Sequence, residues 1–310
     1  MKGEATMASS SALGARRAGT AAGSRSSSSA AHRRKRIRRG VGRVGTHAAL
    51  LVIAAFALAP LLWAISSAFK SDTEIMTNLS LIPSKPTLEH FRVVLGESAF
   101  GTWFLNSLLV AGGTTILAIV VGSLAGYAMS RWRFRGRGLY GNSLLVIQMF
   151  PGVMLAIPMY LLLTRFHLID TLWALLVTYL TFALAFSVWM LKGYFDGIPR
   201  EIEEAALIDG AGRLGALWHV IMPLAGPGIV TVAVFSFLLS WNEFFFAYVF
   251  LASDSKFTLS LGLYSFIQQF TTQWGNIMAA GTLATLPVLV FFFLLQRSLT
   301  RGLVAGATKG

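Results

Sequence analysis

The sequence predicts an all-α membrane protein with six transmembrane helices. Three observations carry that prediction. Hydrophobic residues make up 55% of the 310 and charged residues 13%, with a mean hydropathy of +0.65, too apolar and charge-poor for an ordinary soluble domain. Six runs reach the length of about 20 residues needed to cross the hydrocarbon of a bilayer: 47–69, 104–130, 139–164, 171–191, 224–250 and 276–298. None of them alternates apolar and polar residues with a period of two, and lipid offers no partner to an open strand edge, so all six are predicted as helices.

Ahead of the first run, residues 1–45 are rich in Ser and Arg ("SRSSSSAAHRRKRIRRGVGR") and have no hydrophobic periodicity. Such a segment cannot bury a core and is predicted to be a disordered basic tail. A signal peptide is the competing reading of a basic start before an apolar run. The run itself is 23 residues, longer than an ordinary h-region, and further spans follow, which favours a retained first helix. The net charge of +13 would suggest nucleic acid if it were spread over a soluble surface. Eleven of the 26 Lys and Arg lie before residue 47, so orientation in the membrane is the simpler role, and no nucleic-acid partner is expected.

Counting basic residues between the spans sets the topology. With the N-terminus inside, 21 of the 26 fall on the inner side, including Arg131, Arg133, Arg135, Arg137, Lys192, Arg200 and Arg213, and five (Lys70, Lys85, Arg92, Arg165 and Lys256) fall outside. This asymmetry predicts an N-in, C-in chain in the bilayer. Pro60 in the first run and Pro151, Gly152 and Pro158 in the third predict kinks. "GSLAG" (Gly122–Gly126) has the small-residue spacing that brings helices close. Asn106, Asn142 and Gln148 are weaker candidates for a substrate pathway, and interhelical hydrogen bonds are the expected role for them. The one acid inside a run is Glu243, beside Trp241 and Asn242 in "SWNEFFFAYVF". An intramembrane carboxylate is costly and points to a substrate pathway, where amides, acids and aromatic faces suit a sugar. The alternative is that the long fifth run carries Glu243 out to the headgroups.

The most polar part of the second half is "IPREIEEAALIDGAGRLGALWHVIMPL", between the fourth and fifth runs and on the inner side. Pro199 suits the first position of a helix, and Glu201, Glu203 and Glu204 complement its positive end. Ile202, Ala205 and Ala206 share a face. Gly210, in "DGAG" (Asp209–Gly212), is free to take a positive φ and end the helix. A second short helix follows with Leu214, Leu217, Trp218 and Ile221 on one side, closed by Pro223. A rigid elbow tied to two spans would move the bundle if pushed. It could lie flat on lipid, but the acidic first helix has the wrong sign for an anionic leaflet, which favours a protein partner.

These residues resemble the EAA motif of ATP-binding-cassette (ABC) importer permeases, with Glu204, Ala205, Ala206, Asp209, Gly210, Ala211 and Pro223 in the motif's spacing. Leu217, Val220 and Met222 depart mildly from it. Together with "QMFP", "TLSLGLYSF", "WGNIMAAGTLATLPVLVFFFLLQRSL" and "GLVAGATKG", the chain from about residue 47 onward is similar to the second permease subunit of the maltose/maltodextrin importer and its carbohydrate-uptake relatives. The resemblance implies the type I, MetI-like permease fold over 46–301, with loop 199–223 coupling to a cytoplasmic ATPase. It also implies that the tail 302–310, with Gly302, Leu303, Gly306 and Gly310, reaches between two ABC ATPase subunits. The further partners it implies are a homologous second permease and an extracytoplasmic sugar-binding protein, in a bacterial inner membrane. ATP and Mg would be bound by the partner ATPase, and the sugar, with maltose/maltodextrin as first expectation, could equally be trehalose or cellobiose.

The residues themselves give no sign of catalysis. There is no GxxxxGK[ST] and no HExxH, and His32, His47, His90, His167 and His219 are scattered without metal-ligand spacing. No cofactor or metal is expected in this chain. A secondary carrier is the rival class, but such carriers keep several ionisable groups at mid-membrane and show internal repeats. Here Glu243 stands alone among the runs, and no repeat is evident.

Overall fold

The computed structural model describes residues 45–267 and 272–307, and side chains up to residue 296. The basic tail 1–44 and Gly310 lie outside the described residues. The chain divides into two units, 1–63 and 64–310. The first holds most of α1 (Gly45–Ser67), 23 mostly apolar residues that run helical through Pro60 without a break.

The second unit opens with two short helices, α2 (Asp72–Thr77) and α3 (Glu89–Gly96), followed by the long α4 (Phe100–Arg131). Ser71 caps α2 through its hydroxyl, which accepts from the Glu74 N–H. At 1.5 Å per residue α4 is about 48 Å long, well beyond the hydrocarbon thickness of about 30 Å. The third apolar run is not one helix. Gly136, at φ +87°, starts α5 (Arg137–Met149); Pro151 then ends it, a 3-10 turn covers Gly152–Leu155, and α6 (Ala156–Arg165) leaves at 101° to α5. Proline removes an N–H and forces its predecessor Phe150 into extended backbone (ψ 127°), so the expected kink becomes a break.

The fourth apolar run is α7 (Leu172–Asp196), capped by the Thr171 hydroxyl. After it come α8 (Arg200–Ile208), α9 (Arg213–Ala216), a π-helical turn at Leu217–Ile221 and the single turn α10 (Met222–Leu224). Pro199 caps α8 from outside rather than starting it, and Pro223 lies inside the α9–α10 run instead of closing it. The chain then bends by 84° into α11 (Gly226–Asn242). The fifth run, expected to reach 250, breaks at Glu243 and Phe244 and resumes as α12 (Phe245–Phe250). A 3-10 turn (Asp254–Lys256), α13 (Leu259–Tyr264) and α14 (Trp274–Ala307) complete the order. Among the described residues four helices are long and apolar enough to span a membrane, or up to six spans if each bent pair counts as one. Among the described residues there is no strand, only one isolated bridge between Ile267 and Thr272.

Glycines set the main helix pair. A Cβ on Gly113 would meet Leu176, one on Gly122 would stand 2.8 Å from the Ser187 Cβ, and one on Gly126 would stand 3.0 Å from the Lys192 N. Partner numbers rise together, so α4 and α7 run parallel, backbone close to backbone, as the small-residue spacing predicts. α11 runs antiparallel to α7: Gly228 faces Tyr194, Phe235 stacks on Phe186 at 3.9 Å, and Glu243 reaches Tyr179. The unit therefore has two ends, one carrying α2, α3, α12 and α13, the other carrying α8 and α9.

At the first of these ends a polar knot ties the segments together. Lys70 is fully buried, its ammonium donating to the carbonyls of Ser80 and Asn78. His90 bridges the Lys70 carbonyl (2.9 Å) and Asn276 Oδ1 (3.0 Å), and Asp72 accepts from the Gly275 N–H. Asn106, expected to bond between helices, instead donates to the carbonyls of Ser255 and Phe257 in the loop after α12. Asn142 and Gln148 are exposed rather than bridging helices.

Candidate functional site

The elbow between α7 and α11 has the geometry expected of a helix, glycine turn and helix. α8 ends at Ile208, Gly210 takes φ +89°, and the Ala211 N–H closes back on the Ala206 carbonyl at 3.0 Å. Past Gly212 the second arm enters a buried cluster. Leu217 and Ile221 are fully covered, packed with Tyr127, Leu191, Phe195, Ala225 and Val232. The π turn places these two, four residues apart, on one face under the bundle. Leu214 and Trp218, expected on the same face, are exposed.

α8 is inside out. Its buried residue is an acid, Glu203, while Ile202, Leu207 and Ile208 are exposed, Ile208 to 86%. Leu214 at the start of the second arm adds another apolar side chain, 61% exposed. Of the motif residues, Glu204, Ala205, Asp209 and Gly210 are exposed on this elbow, Ala206 and Ala211 are half-buried, and Pro223 is exposed on α10. Gly302, Leu303 and Gly306 belong to the last turns of α14, which runs helical to Ala307 rather than ending before a separate tail.

What holds α8 in place lies far from it in the chain. Glu203 accepts from the Tyr127 hydroxyl and from Arg131 Nε (2.5 Å), both at the end of α4. Arg131 and Glu203 side chains are only 6% and 11% exposed. Arg131 Nη2 donates to the Ile198 carbonyl (3.2 Å) and Nη1 to the Ser130 hydroxyl (3.3 Å). Arg200 reaches back to the carbonyls of Ser130 and Arg131 at 3.4 Å. Beside them the Ser130 hydroxyl donates to Asp196, which also accepts from Lys192 (2.5 Å). Arg213 lies over the Trp132 ring, 5.1 Å from its centroid. A cavity of about 230 Å³ sits among Arg131, Trp132, Arg200, Glu203, Glu204, Leu207 and Arg213. Read from sequence, Arg131 was one of several orienting arginines and Glu203 one of three acids at a helix start. The available signal was that an acid occupies the α8 position three residues before half-buried Ala206.

The second expected cluster is not one patch. Trp241 is buried, stacked on Phe237 (5.4 Å) and edge-on to Phe104 (5.8 Å). Asn242 is exposed and donates to the Leu238 carbonyl. Glu243 stands in the break between α11 and α12. Its carboxylate accepts from the Tyr179 hydroxyl (2.5 Å) and from the N–H groups of Phe246 (2.9 Å) and Ala247 (3.3 Å). It thus satisfies the first free donors of α12, which a broken span leaves without partners. Glu243 also lines an open groove of about 230 Å³ with Gln148, Tyr179, Phe150, Phe182 and Phe246. Gln148 and Phe150, at the break after α5, are drawn into this groove by the bend. Among the described residues no group of three or more His, Asp or Glu could hold a metal.

This arrangement of long helices, bent pairs and a glycine elbow is a known one. Residues 118–304 match the family described as the binding-protein-dependent transport system inner membrane component. The chain belongs to that family. It is 35% identical over 271 residues to the maltodextrin transport system permease protein MdxG of Bacillus subtilis (strain 168), covering 87% of this chain and 97% of that one. It is also 35% identical over 261 residues to the trehalose transport system permease protein SugB of Mycobacterium tuberculosis (strain CDC 1551 / Oshkosh), covering 84% and 95%. In fold it is similar to a crystal structure of a bacterial ABC transporter involved in the import of the acidic polysaccharide alginate, with a TM-score of 0.72 at 23% identity over 83% of this chain and 96% of that one. The permease is a multi-pass membrane protein and a transport component of an ABC importer, not an enzyme.

Proposed function

We propose that this permease forms one half of a sugar pathway across a bacterial inner membrane, with N- and C-termini inside, and that the α8–α9 elbow docks on an ATPase subunit. The inside-out α8 carries this reading. Apolar side chains held outward on a rigid elbow, with an acid turned inward, suit a protein cleft better than water or an anionic membrane surface. The clustering of Arg131, Arg133, Arg135, Arg137, Lys192, Arg200 and Arg213 toward the same end supports placing it inside.

The complex would comprise this chain, a homologous second permease, two ABC ATPases that bind ATP and Mg, and an extracytoplasmic sugar-binding protein. The loaded binding protein docks outside, ATP draws the ATPases together, and the elbow from Glu204 to Pro223 transmits that closure. Each ligand shifts the equilibrium only by its differential affinity for the two states. The last turns of α14, with Gly302, Leu303 and Gly306, and the terminal Gly310 would contact the ATPases. Gln148, Tyr179 and Glu243, with Phe150, Phe182 and Phe246, would line this chain's side of the pathway, offering amide, hydroxyl and carboxylate to sugar hydroxyls and rings to its apolar face. Trp241 has no part in that surface, because it is packed in the core.

The substrate would be a neutral oligosaccharide of the maltose/maltodextrin class. Trehalose is the second reading, because the maltodextrin and trehalose permeases are equally similar to this chain; cellobiose is a third. Uptake of labelled maltotriose, trehalose and cellobiose by cells lacking this gene, complemented with wild type, Glu204→Ala or Gly210→Val, tests all of this. Loss of one sugar, restored only by wild type, supports both the substrate and the elbow. Unchanged uptake of all three removes the sugar assignment, and full restoration by Gly210→Val removes the coupling role of the elbow.

A further inference from the structure

If the elbow only linked α7 to α11, its first helix would need no buried acid. We infer that the Arg131–Glu203 pair is a positioning joint through which displacement of α8 is delivered to α4, so that the elbow drives the close-packed α4–α7 pair as one body. The inference rests on the reading of α8–α9 as the ATPase-docking element. By chain connection, α8 pulls only on α7 and α9 leads only to α11. The residues that meet at the joint are 72 and 76 positions apart in sequence.

The contacts fix both distance and rotation. Tyr127, Ser130 and Arg131 span a full turn of α4, and each engages the segment from Asp196 to Glu203. Donors run both ways: Arg131 and Tyr127 donate to Glu203, and Arg200 donates to the last carbonyls of α4. Those carbonyls are ones a helix end leaves without partners. Both charges are buried, so sliding α8 past α4 would strand a carboxylate and a guanidinium without water to replace their bonds. Asp196 accepts from Ser130 and Lys192, and the carboxylate paired with Arg131 is Glu203. Beyond the joint, Gly122 and Gly126 seat α4 on the α7 backbone with no room for a side chain between them. Movement at α8 therefore reaches a span that the chain path leaves out.

The test uses the assembled importer, with its ATPases and binding protein, in vesicles, and reads sugar moved per ATP hydrolysed. Glu203→Gln and Arg131→Gln should assemble and hydrolyse ATP, yet move sugar at a ratio lower by at least about fivefold, the low end of ordinary allosteric couplings. The exchange Glu203→Arg with Arg131→Glu should recover part of that loss, which a merely bulky or destabilising effect would not. Tyr127→Phe removes one hydrogen bond from the carboxylate and should lower the ratio in the same direction. If the charge variants fail to assemble, that variant decides the matter. A wild-type ratio in assembled Glu203→Gln or Arg131→Gln, or in Tyr127→Phe where those do not assemble, overturns the inference. Ile208→Asp separates the two readings: if it abolishes ATPase binding while Glu203→Gln transports normally, the elbow docks but the joint does not transmit. If Ile208→Asp leaves ATPase binding intact, the docking reading itself is lost.

Discussion

Gly210 has φ +89° and nothing within 4 Å of where a Cβ would stand. Substitution there is opposed by backbone conformation alone, about 1–2 kcal/mol for an ordinary L-residue. Asn tolerates the left-handed region better than Val, so Gly210→Asn should transport sugar well above Gly210→Val, as measured by uptake at equal expression. A second residue in the left-handed region is Asp170, at φ +58°. Its carboxylate accepts from the Ser253 hydroxyl and from the N–H groups of Ser253 and Ala252, joining the loop before α7 to the loop after α12. These bonds, that from the Ser253 hydroxyl foremost, hold its carboxyl below the usual range. A folded pKa below the unfolded one means that the stabilisation is present above the ordinary carboxylate range and is lost as pH falls through the lowered value. The melting temperature of the purified protein should therefore drop on acidification below about pH 4. Asp170→Asn should remove part of that acid limb and lower the melting temperature at neutral pH.

At the level of elements, the sequence told well where helices lie and poorly which way two of them face. Length and hydropathy located four long apolar helices and two bent pairs, and "GSLAG" named a close-packed contact correctly, because small residues at that spacing have one main physical use. Pro151 marked a weak point in the third span, but a proline in a pattern does not say whether a helix bends or stops. Here extended Phe150 and the 3-10 turn made it stop. α8 was misread for a different reason. Acids at a helix start are normally solvated and apolar residues normally inward, and only Arg131 and Tyr127, more than 70 residues away, invert that rule. Two substitutions separate the faces. Leu217→Ala, in the buried arm, should destabilise the protein by about 2–5 kcal/mol, read as a loss of thermal stability. Ile208→Ser should leave thermal stability within about 0.5 kcal/mol of wild type but weaken co-purification of the ATPase. Gly126→Leu forces a side chain against the α7 backbone and should destabilise by about 1–3 kcal/mol or more.

For the whole molecule, charge asymmetry and the two ends of the bundle make one combined prediction. The chain has no cysteine, so single cysteines report position without background. Ser253→Cys, beside the loop after α12, should react with an impermeant thiol reagent added outside intact cells. Gly212→Cys, in the elbow, should react only after the membrane is opened. The reverse pattern would invert the topology. What the sequence could not supply is the grouping of Gln148, Tyr179 and Glu243 in one groove, since it depends on two broken helices meeting. The outward apolar face of α8 also bears on how the importer is assembled. If the elbow docks on an ATPase as proposed, a copy without that partner would keep a greasy elbow in water, the kind of surface that chaperones and proteases act on. The same side chains that would couple the subunits would thus police their stoichiometry, with unpaired permease removed and paired permease spared.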